Sequence, residues 1–133
     1  MEQLLIEAKE DSPHVLFDPI ANNFLISGES RPENAGKFYT PIINWLIDFE
    51  GFAYWRKTEM KDESTLFFVF NLEYFNSTSA KYILDLLLII KKFETKGYNV
   101  NIKWHYDKFG DDILDSGKEL SEMTGLNFEL IQS

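Results

Sequence analysis

The sequence of 133 residues contains no cysteine, so disulfide bonds, thiolate metal ligands and cysteine nucleophiles are excluded. Histidine is almost as scarce. His14 and His105 are the only two, each in a separate predicted strand, so neither a metal site nor a catalytic triad is indicated. Basic residues are also few, 13 against 22 acidic residues, and the net charge of −9 argues against a nucleic-acid partner.

Long apolar runs are missing as well. The longest run, residues 83–90, contains Asp85 and is far shorter than a membrane span, which needs about 18 residues. The first three residues lack the positive region and apolar run of a signal peptide. We therefore expect a cytoplasmic protein with no membrane span, and no motif calls for a cofactor.

What the sequence does have is apolar and aromatic content, 44% and 16%, which is enough for the core of a single domain covering residues 1–133. Periodicity predicts the element order β-β-β-α-β-α-β-α-β, typical of an α/β fold with a mixed sheet and helices packed on it. The strands at 14–18 and 24–27 are expected to form a hairpin, and parallel crossovers are expected in the second half. The predicted strands are 4–8, 14–18, 24–27, 66–75, 99–106 and 128–131. The apolar run Leu66–Val69 predicts a strand buried on both faces.

The first helical region is harder to delimit because it contains Pro41. Ser30 and Glu33 have the spacing of a capping box, and proline breaks a hydrogen bond inside a straight helix. We therefore expect a short turn at 33–39, then a helix that starts at Pro41, is capped by Thr40 and ends at Gly51. Its predicted buried face consists of Ile42, Ile43, Trp45, Leu46 and Phe49.

The region after Gly51 has the weakest pattern of the chain. Residues 56–63 alternate in charge sign and predict a solvated loop. Tyr54 and Trp55 are expected to form a lid over the core, with an exposed aromatic patch for a partner as the alternative. The two later helices are clearer, at 81–96 ending before Gly97, and at 113–123 ending at Gly125.

Three consecutive hydroxyl residues, Ser77, Thr78 and Ser79, follow the strand that begins at Leu66 and precede the helix. Unpaired N–H groups and the positive end of the helix dipole favour a side-chain oxygen or a phosphate at such a position. Asn76 or one hydroxyl could simply be the N-cap. One cap needs only one residue, however, so a phosphoacceptor is the leading functional alternative.

Two catalytic or metal-binding alternatives are less well supported. Thr78 or Ser79 with Lys81 has the spacing of a hydroxyl nucleophile and a lysine, but the companion S-D-N and K-T-G motifs are absent. The acids of residues 107–115 depart from a calcium-loop pattern at Lys108 and Phe109, and favour a helix start that complements the dipole. A binding or switch module is therefore expected, without enzymatic activity.

Three blocks of sequence carry a resemblance to a known family: 28–34 with Phe38-Tyr39 and Pro41 after it, 72–79 with Lys81, and 104–107 with the acidic helix start. With these blocks in order over roughly residues 5–131, the chain resembles the SiaC family of bacterial regulatory phosphoproteins. The resemblance implies a STAS-like fold and a partner switch. It also implies a protein kinase, a PP2C-type phosphatase and, as effector, a diguanylate cyclase that governs biofilm formation.

The resemblance also assigns site residues. The family phosphoacceptor follows the asparagine of Y-[LF]-N-T-S-S, and Ser77 occupies that position, with Thr78 as the alternative if the kinase requires threonine. Tyr74, Asn76 and Ser79 are expected in the partner interface. The alternative is a constitutive protein-binding scaffold in which the hydroxyls only cap the helix.

Overall fold

The computed structural model describes residues 1–133 and contains one six-stranded sheet with three helices. The strands lie in chain order; β1–β2 and β2–β3 are antiparallel, and the three later pairs are parallel. The predicted α/β class, the element order, the hairpin and the parallel crossovers are confirmed. The elements are β1 Leu4–Ile6, β2 His14–Asp18, β3 Asn23–Ser30, α1 Ala35–Glu59, β4 Leu66–Phe75, α2 Ser77–Thr95, β5 Val100–Tyr106, α3 Asp111–Thr124 and β6 Phe128–Gln132.

The helices cover only one face of this sheet. Phe17, Phe24, Phe68 and Ile102 lie in one row across four strands, and all four are buried. Their neighbours along each strand point the other way and are more exposed; Phe67 is 37% exposed. The prediction that β4 is buried on both faces is therefore wrong. Because every crossover from β3 to β6 advances in the same direction with the usual right hand, all three helices lie on one side.

Helix α1 is longer than predicted and runs without a break through both Pro41 and Gly51. Its N-cap is Asn34, whose Oδ1 accepts a hydrogen bond from the Lys37 N–H at 3.0 Å. The predicted start at Pro41, the Thr40 cap, the Ser30–Glu33 capping box and the stop at Gly51 are wrong. Buried side chains at helical spacing extend on both sides of the proline, and their packing outweighs one lost hydrogen bond. They are Ala35, Tyr39, Ile42, Leu46, Phe49, Ala53 and Arg56.

Arg56 shows why the helix continues beyond the predicted stop. The side chain is only 8% exposed, and its guanidinium donates to the Pro19 carbonyl at 2.8 Å and to Asn22 Oδ1 at 2.6 Å. It also lies over the Phe52 ring, 4.8 Å from its centroid. The prediction of a solvated loop from 56 to 63 is wrong at its start, because this arginine bonds the end of α1 to the β2–β3 turn.

The aromatic residues beside Arg56 do not form the predicted lid. Tyr54 and Trp55 are 63% and 50% exposed, on the side of α1 that faces away from the sheet. The helical spacing that buries Ala53 and Arg56 turns these two neighbours outward.

The last two helices end close to their predicted ends, but both begin earlier than predicted. α2 begins at Ser77, earlier than the predicted Lys81, so the three hydroxyl residues lie within its first turn. Asp111 and Asp112 occupy the first turn of α3, as expected for acids near a positive dipole end. Gly125 ends α3 in a left-handed conformation with φ +72°. No helix is both long enough and apolar enough to cross a membrane.

Candidate functional site

The candidate site lies where the parallel strands β3 and β4 end side by side. Ser30 pairs in register with Phe75, and the next backbone N–H, that of Asn76, donates to the Ser30 carbonyl at 3.0 Å. Helix α2 starts immediately afterwards, so its N-terminus lies at the carboxyl edge of the sheet. This edge is the usual position of functional groups in α/β folds.

Asn76 is the N-cap of α2, which confirms one of the two candidates for this role. Its Oδ1 accepts a hydrogen bond from the Ser79 N–H at 2.8 Å, and its carbonyl accepts one from the Ala80 N–H at 3.0 Å. Its backbone is extended, with φ −82° and ψ 174°, as a cap requires. Capping therefore needs none of the three hydroxyl groups.

The three hydroxyl residues separate into two outward and one inward. Ser77 and Thr78 are exposed, whereas Ser79 has no exposed surface. Successive helical residues differ in direction by about 100°, because a turn contains 3.6 residues. Ser79 therefore points into the fold while its two neighbours point to solvent.

Inside the fold, Ser79 joins Ser30 and Tyr39 in a cluster that we call the hydroxyl triad. Ser79 Oγ donates to the Ser30 carbonyl at 3.1 Å, and Ser30 Oγ donates to Ser79 Oγ at 2.9 Å. The Tyr39 hydroxyl makes a short hydrogen bond to Ser30 Oγ. All three residues are 0% exposed, so α1, α2 and β3 are joined by buried hydrogen bonds directly beneath the exposed hydroxyls.

The triad tyrosine is held in its neutral form. Burial raises the pKa of the Tyr39 hydroxyl above its usual 10.0, although its side-chain contacts with Ser30 and Ser79 act in the opposite direction. Its ring stacks on Tyr82 of α2 with the centroids 5.5 Å apart and the planes 3° from parallel. Ser30 and Tyr39 are not evident as site residues in the sequence, because Ser79, which bonds the cluster to α2, lies 49 positions from Ser30. Their only signal is their place in the first resembling block.

The surface around the exposed hydroxyls is mixed in character. Tyr74 is 49% exposed and Lys81 is exposed one helical turn after Ser77. Beside Lys81 a groove of about 230 Å³ runs between α2 and α3. Its lining residues are Phe75, Ala80, Lys81, Leu84, Ser116, Glu119, Leu120 and Met123.

Comparison with known proteins identifies the family of the chain. Residues 6–133 match the sequence profile of the family described as SiaC family regulatory phosphoprotein. The chain belongs to the SiaC family. The resemblance that the three sequence blocks carry is thereby confirmed over nearly the whole chain.

Similar proteins are found in Pseudomonas aeruginosa. An uncharacterized protein of strain UCBPP-PA14 is 24% identical over 130 residues, covering 98% of this chain and 96% of the relative. The crystal structure of apo-SiaC from Pseudomonas aeruginosa has a TM-score of 0.82 at 24% identity, covering 98% of this chain and 99% of that one. SiaC in the crystal structure of the diguanylate cyclase SiaD with its activator SiaC has a TM-score of 0.83 at 23% identity, with the same coverage. These structures share the fold described above.

Within the SiaC-family fold, the predicted site residues divide into two groups. Ser77, Thr78, Tyr74 and Asn76 lie together around the N-terminus of α2, and the first three are exposed. Ser79 belongs to the interior, so its contribution to an interface would be indirect. Its burial also removes it from the hydroxyl–lysine pair considered as a nucleophile, because no substrate could reach its Oγ without opening the fold.

Proposed function

We propose that this SiaC-family protein is a cytoplasmic partner switch without catalytic activity, in which reversible phosphorylation of Ser77 controls binding to a diguanylate cyclase. One observation carries the proposal. Asn76 provides the cap and Ser79 bonds internally, so Ser77 and Thr78 are exposed hydroxyls with no part in holding the helix start. The family description as regulatory phosphoproteins supports a modification at such a position.

Ser77 is the leading acceptor, with Thr78 as the alternative. Ser77 is the first residue of α2, and it occupies the acceptor position of the family motif directly after Asn76. Thr78 is equally exposed one position later, and it offers the threonine that the family motif usually has. The two differ in direction by about 100°, so a kinase docked in one orientation would meet only one of them.

The expected effect of the phosphate falls on the partner. A phosphate adds about −1.5 to −2 charges. A surface that had packed against neutral hydroxyls would then bury an unpaired dianion, at a cost of about 3–5 kcal/mol. Because each 1.4 kcal/mol is about tenfold in affinity, this cost is enough to release the complex.

The choice of partner rests on family relations. SiaC of Pseudomonas aeruginosa is described as the activator of the diguanylate cyclase SiaD and forms a crystalline complex with it. We infer a cyclase of that kind as the effector here, with an output in biofilm formation, and a kinase and a PP2C-type phosphatase that act on Ser77. Tyr74 and Asn76 flank the acceptor and are the residues that we place in the interface.

The modification can be tested on protein isolated from its own cells. Site-resolved phosphopeptide mass spectrometry, before and after treatment with a PP2C-type phosphatase, should find a removable phosphate on Ser77, or on Thr78 if the alternative holds. An unmodified cluster under every growth condition would contradict the switch and leave a constitutive scaffold as the better explanation.

Binding measurements then test the consequence of the charge. Ser77→Asp should weaken binding to the cyclase, and Ser77→Ala should retain it. Thr95→Asp is the control for an added charge far from the site, because it places the same charge at an exposed hydroxyl position about 27 Å further along α2, although it also removes the hydrogen bond from Thr95 Oγ1 to the Lys91 carbonyl. Equal affinity of the Ser77→Asp and Ser77→Ala proteins would refute a switch at Ser77.

A further inference from the structure

We propose that the hydroxyl triad of Ser79, Ser30 and Tyr39 is a positioning device that determines which exposed hydroxyl, Ser77 or Thr78, is modified. This inference rests on the proposed function and names what gives the modification its site specificity. The triad residues touch neither kinase nor phosphate. They act through the orientation of the first turn of α2.

The first turn of α2 is held from two directions. From outside, the Asn76 cap bonds the Ser79 N–H. From inside, the Ser79 side chain bonds both the carbonyl and the hydroxyl of Ser30, the last residue of β3. A helix start that is held by a single hydrogen bond can fray, whereas bonds to both the backbone N–H and the side chain of Ser79 hold the first turn in place.

The inner bonds extend to a second helix. Because Ser30 directs its proton to Ser79, the Tyr39 hydroxyl is the donor in the short bond to Ser30. Tyr39 is itself fixed in α1 by its stack on Tyr82, which returns to α2 one turn after Thr78. The triad therefore closes a ring of contacts through α1, β3 and α2.

Because the triad is buried, its hydrogen bonds determine the orientation of the first turn of α2. Since Ser79, Ser30 and Tyr39 are all 0% exposed, water cannot replace a bond that is lost without opening the structure. Removing the Ser79 hydroxyl would leave one of the two remaining buried hydroxyl protons, that of Ser30 or that of Tyr39, without an acceptor, and a buried donor without a partner is strongly unfavourable. The first turn would then shift or fray to satisfy it, and the directions of Ser77 and Thr78 would no longer be distinct.

The test compares site preference in three variants phosphorylated by the protein's own kinase. Ser79→Ala should lower the preference between Ser77 and Thr78 about tenfold, and Tyr39→Phe about threefold, because it removes only the outer bond. Tyr82→Phe is the matched control: it removes the hydroxyl from the ring that stacks on Tyr39 but belongs to no triad bond, so the preference should stay unchanged.

A second measurement needs no kinase. In the Ser79→Ala protein, amide hydrogen exchange at positions 79 and 80 should become about tenfold faster, which is the change expected for the loss of one net hydrogen bond. The amide of Leu87, in the buried middle of α2, should keep its protection. Equal acceleration at Leu87 would indicate general destabilisation and contradict a positioning role.

The outcomes separate this inference from the proposed function. Unchanged site preference in both Ser79→Ala and Tyr39→Phe, with phosphorylation intact, overturns the inference alone. Phosphate on neither Ser77 nor Thr78 in any protein overturns the proposed function, and the inference with it. If Ser79→Ala does not fold, Tyr39→Phe decides, because its ring packing is retained.

Discussion

Gly117 of α3 lies directly against the indole of Trp104, and replacing it by alanine should destabilise the protein. An added Cβ would come within 2.4 Å of Nε1 and 2.5 Å of Cδ1, far inside van der Waals contact. The indole cannot move aside, since it is 1% exposed and stacks on Phe128 with the ring centroids 5.5 Å apart. The helix must shift instead, and the hydrogen bond from Trp104 Nε1 to the Ile113 carbonyl, 2.8 Å long, would be lost.

The magnitude follows from three contributions. Overpacking in a filled core costs about 1–3 kcal/mol. Leaving the buried indole N–H of Trp104 without its acceptor costs about 1–3 kcal/mol more. Alanine gains back about 1 kcal/mol over glycine in a helix. The net expectation is that the free energy of unfolding falls by about 3 kcal/mol.

Gly51 of α1 supplies the matched control. It is also a helical glycine, but an added Cβ there meets no atom within 4 Å. Gly51→Ala should therefore raise the free energy of unfolding by up to about 1 kcal/mol, with only the propensity gain remaining. Urea denaturation of the two variants and the wild type gives both values. If Gly117→Ala were as stable as the wild type, the close packing of α3 on Trp104 would be refuted.

Three further predictions concern polar groups. Asn76→Ala should lower the free energy of unfolding by about 0.5–2 kcal/mol, because the Ser79 N–H loses its acceptor, and Asn76→Asp should keep the cap; equal urea midpoints for both would contradict the capping role. Arg56→Lys should lower the free energy of unfolding by about 1–3 kcal/mol, because a lysine ammonium cannot reach both the Pro19 carbonyl and Asn22 Oδ1. An unchanged midpoint in thermal denaturation would contradict a stabilising role of these two hydrogen bonds. Burial raises the pKa of Tyr39 above 10.0, so the free energy of unfolding should be unaffected by this group below pH 10 and should fall as the pH rises through the raised pKa. When unfolding is measured against pH, Tyr39→Phe should make this alkaline decline shallower, and an identical decline in the variant would refute the shift.

The strands and the order of elements along the chain could be predicted, because most of the strands carry alternating side chains. The sequence does not show that the helices cover only one face of the sheet. The run Leu66–Val69 is apolar at every position, although Phe67 and Val69 lie on the side of the sheet opposite Leu66 and Phe68. Only the common hand of the crossovers decides which side is covered, and that hand is a property of the assembled sheet.

Helix α1 differs from its prediction because its local signals oppose its packing on the sheet. Pro41 and Gly51 each disfavour a helix interior by their own chemistry. The buried residues on both sides of them, from Tyr39 to Ala53, form one continuous stripe against the sheet. The packing of a stripe of that length offsets the free energy lost with one missing hydrogen bond and one glycine. The pattern extends over the whole of α1, so neither half of the helix shows it alone.

The candidate site was predicted in position but not in internal organisation. The cluster at Asn76–Ser79 and its cap were evident from residue types that favour helix starts. The hydroxyl triad was not, because Ser79 and Ser30 are 49 residues apart and meet only when β3 and β4 pair. Residue type alone does not show that the Ser79 hydroxyl is buried whereas the Ser77 hydroxyl is exposed.

That distinction decides where a reversible charge can be placed. A phosphate on Ser77 would lie in solvent at the positive end of the α2 dipole, where a negative charge is stabilised by about 0.3–1 kcal/mol. A phosphate on Ser79 would bury a dianion among Ser30 and Tyr39, at a cost of several kcal/mol that the fold alone would bear. Only the outward hydroxyls can therefore gain and lose the group without unfolding the protein, and the free energy of the modification is left to act on whatever binds the exposed surface around them.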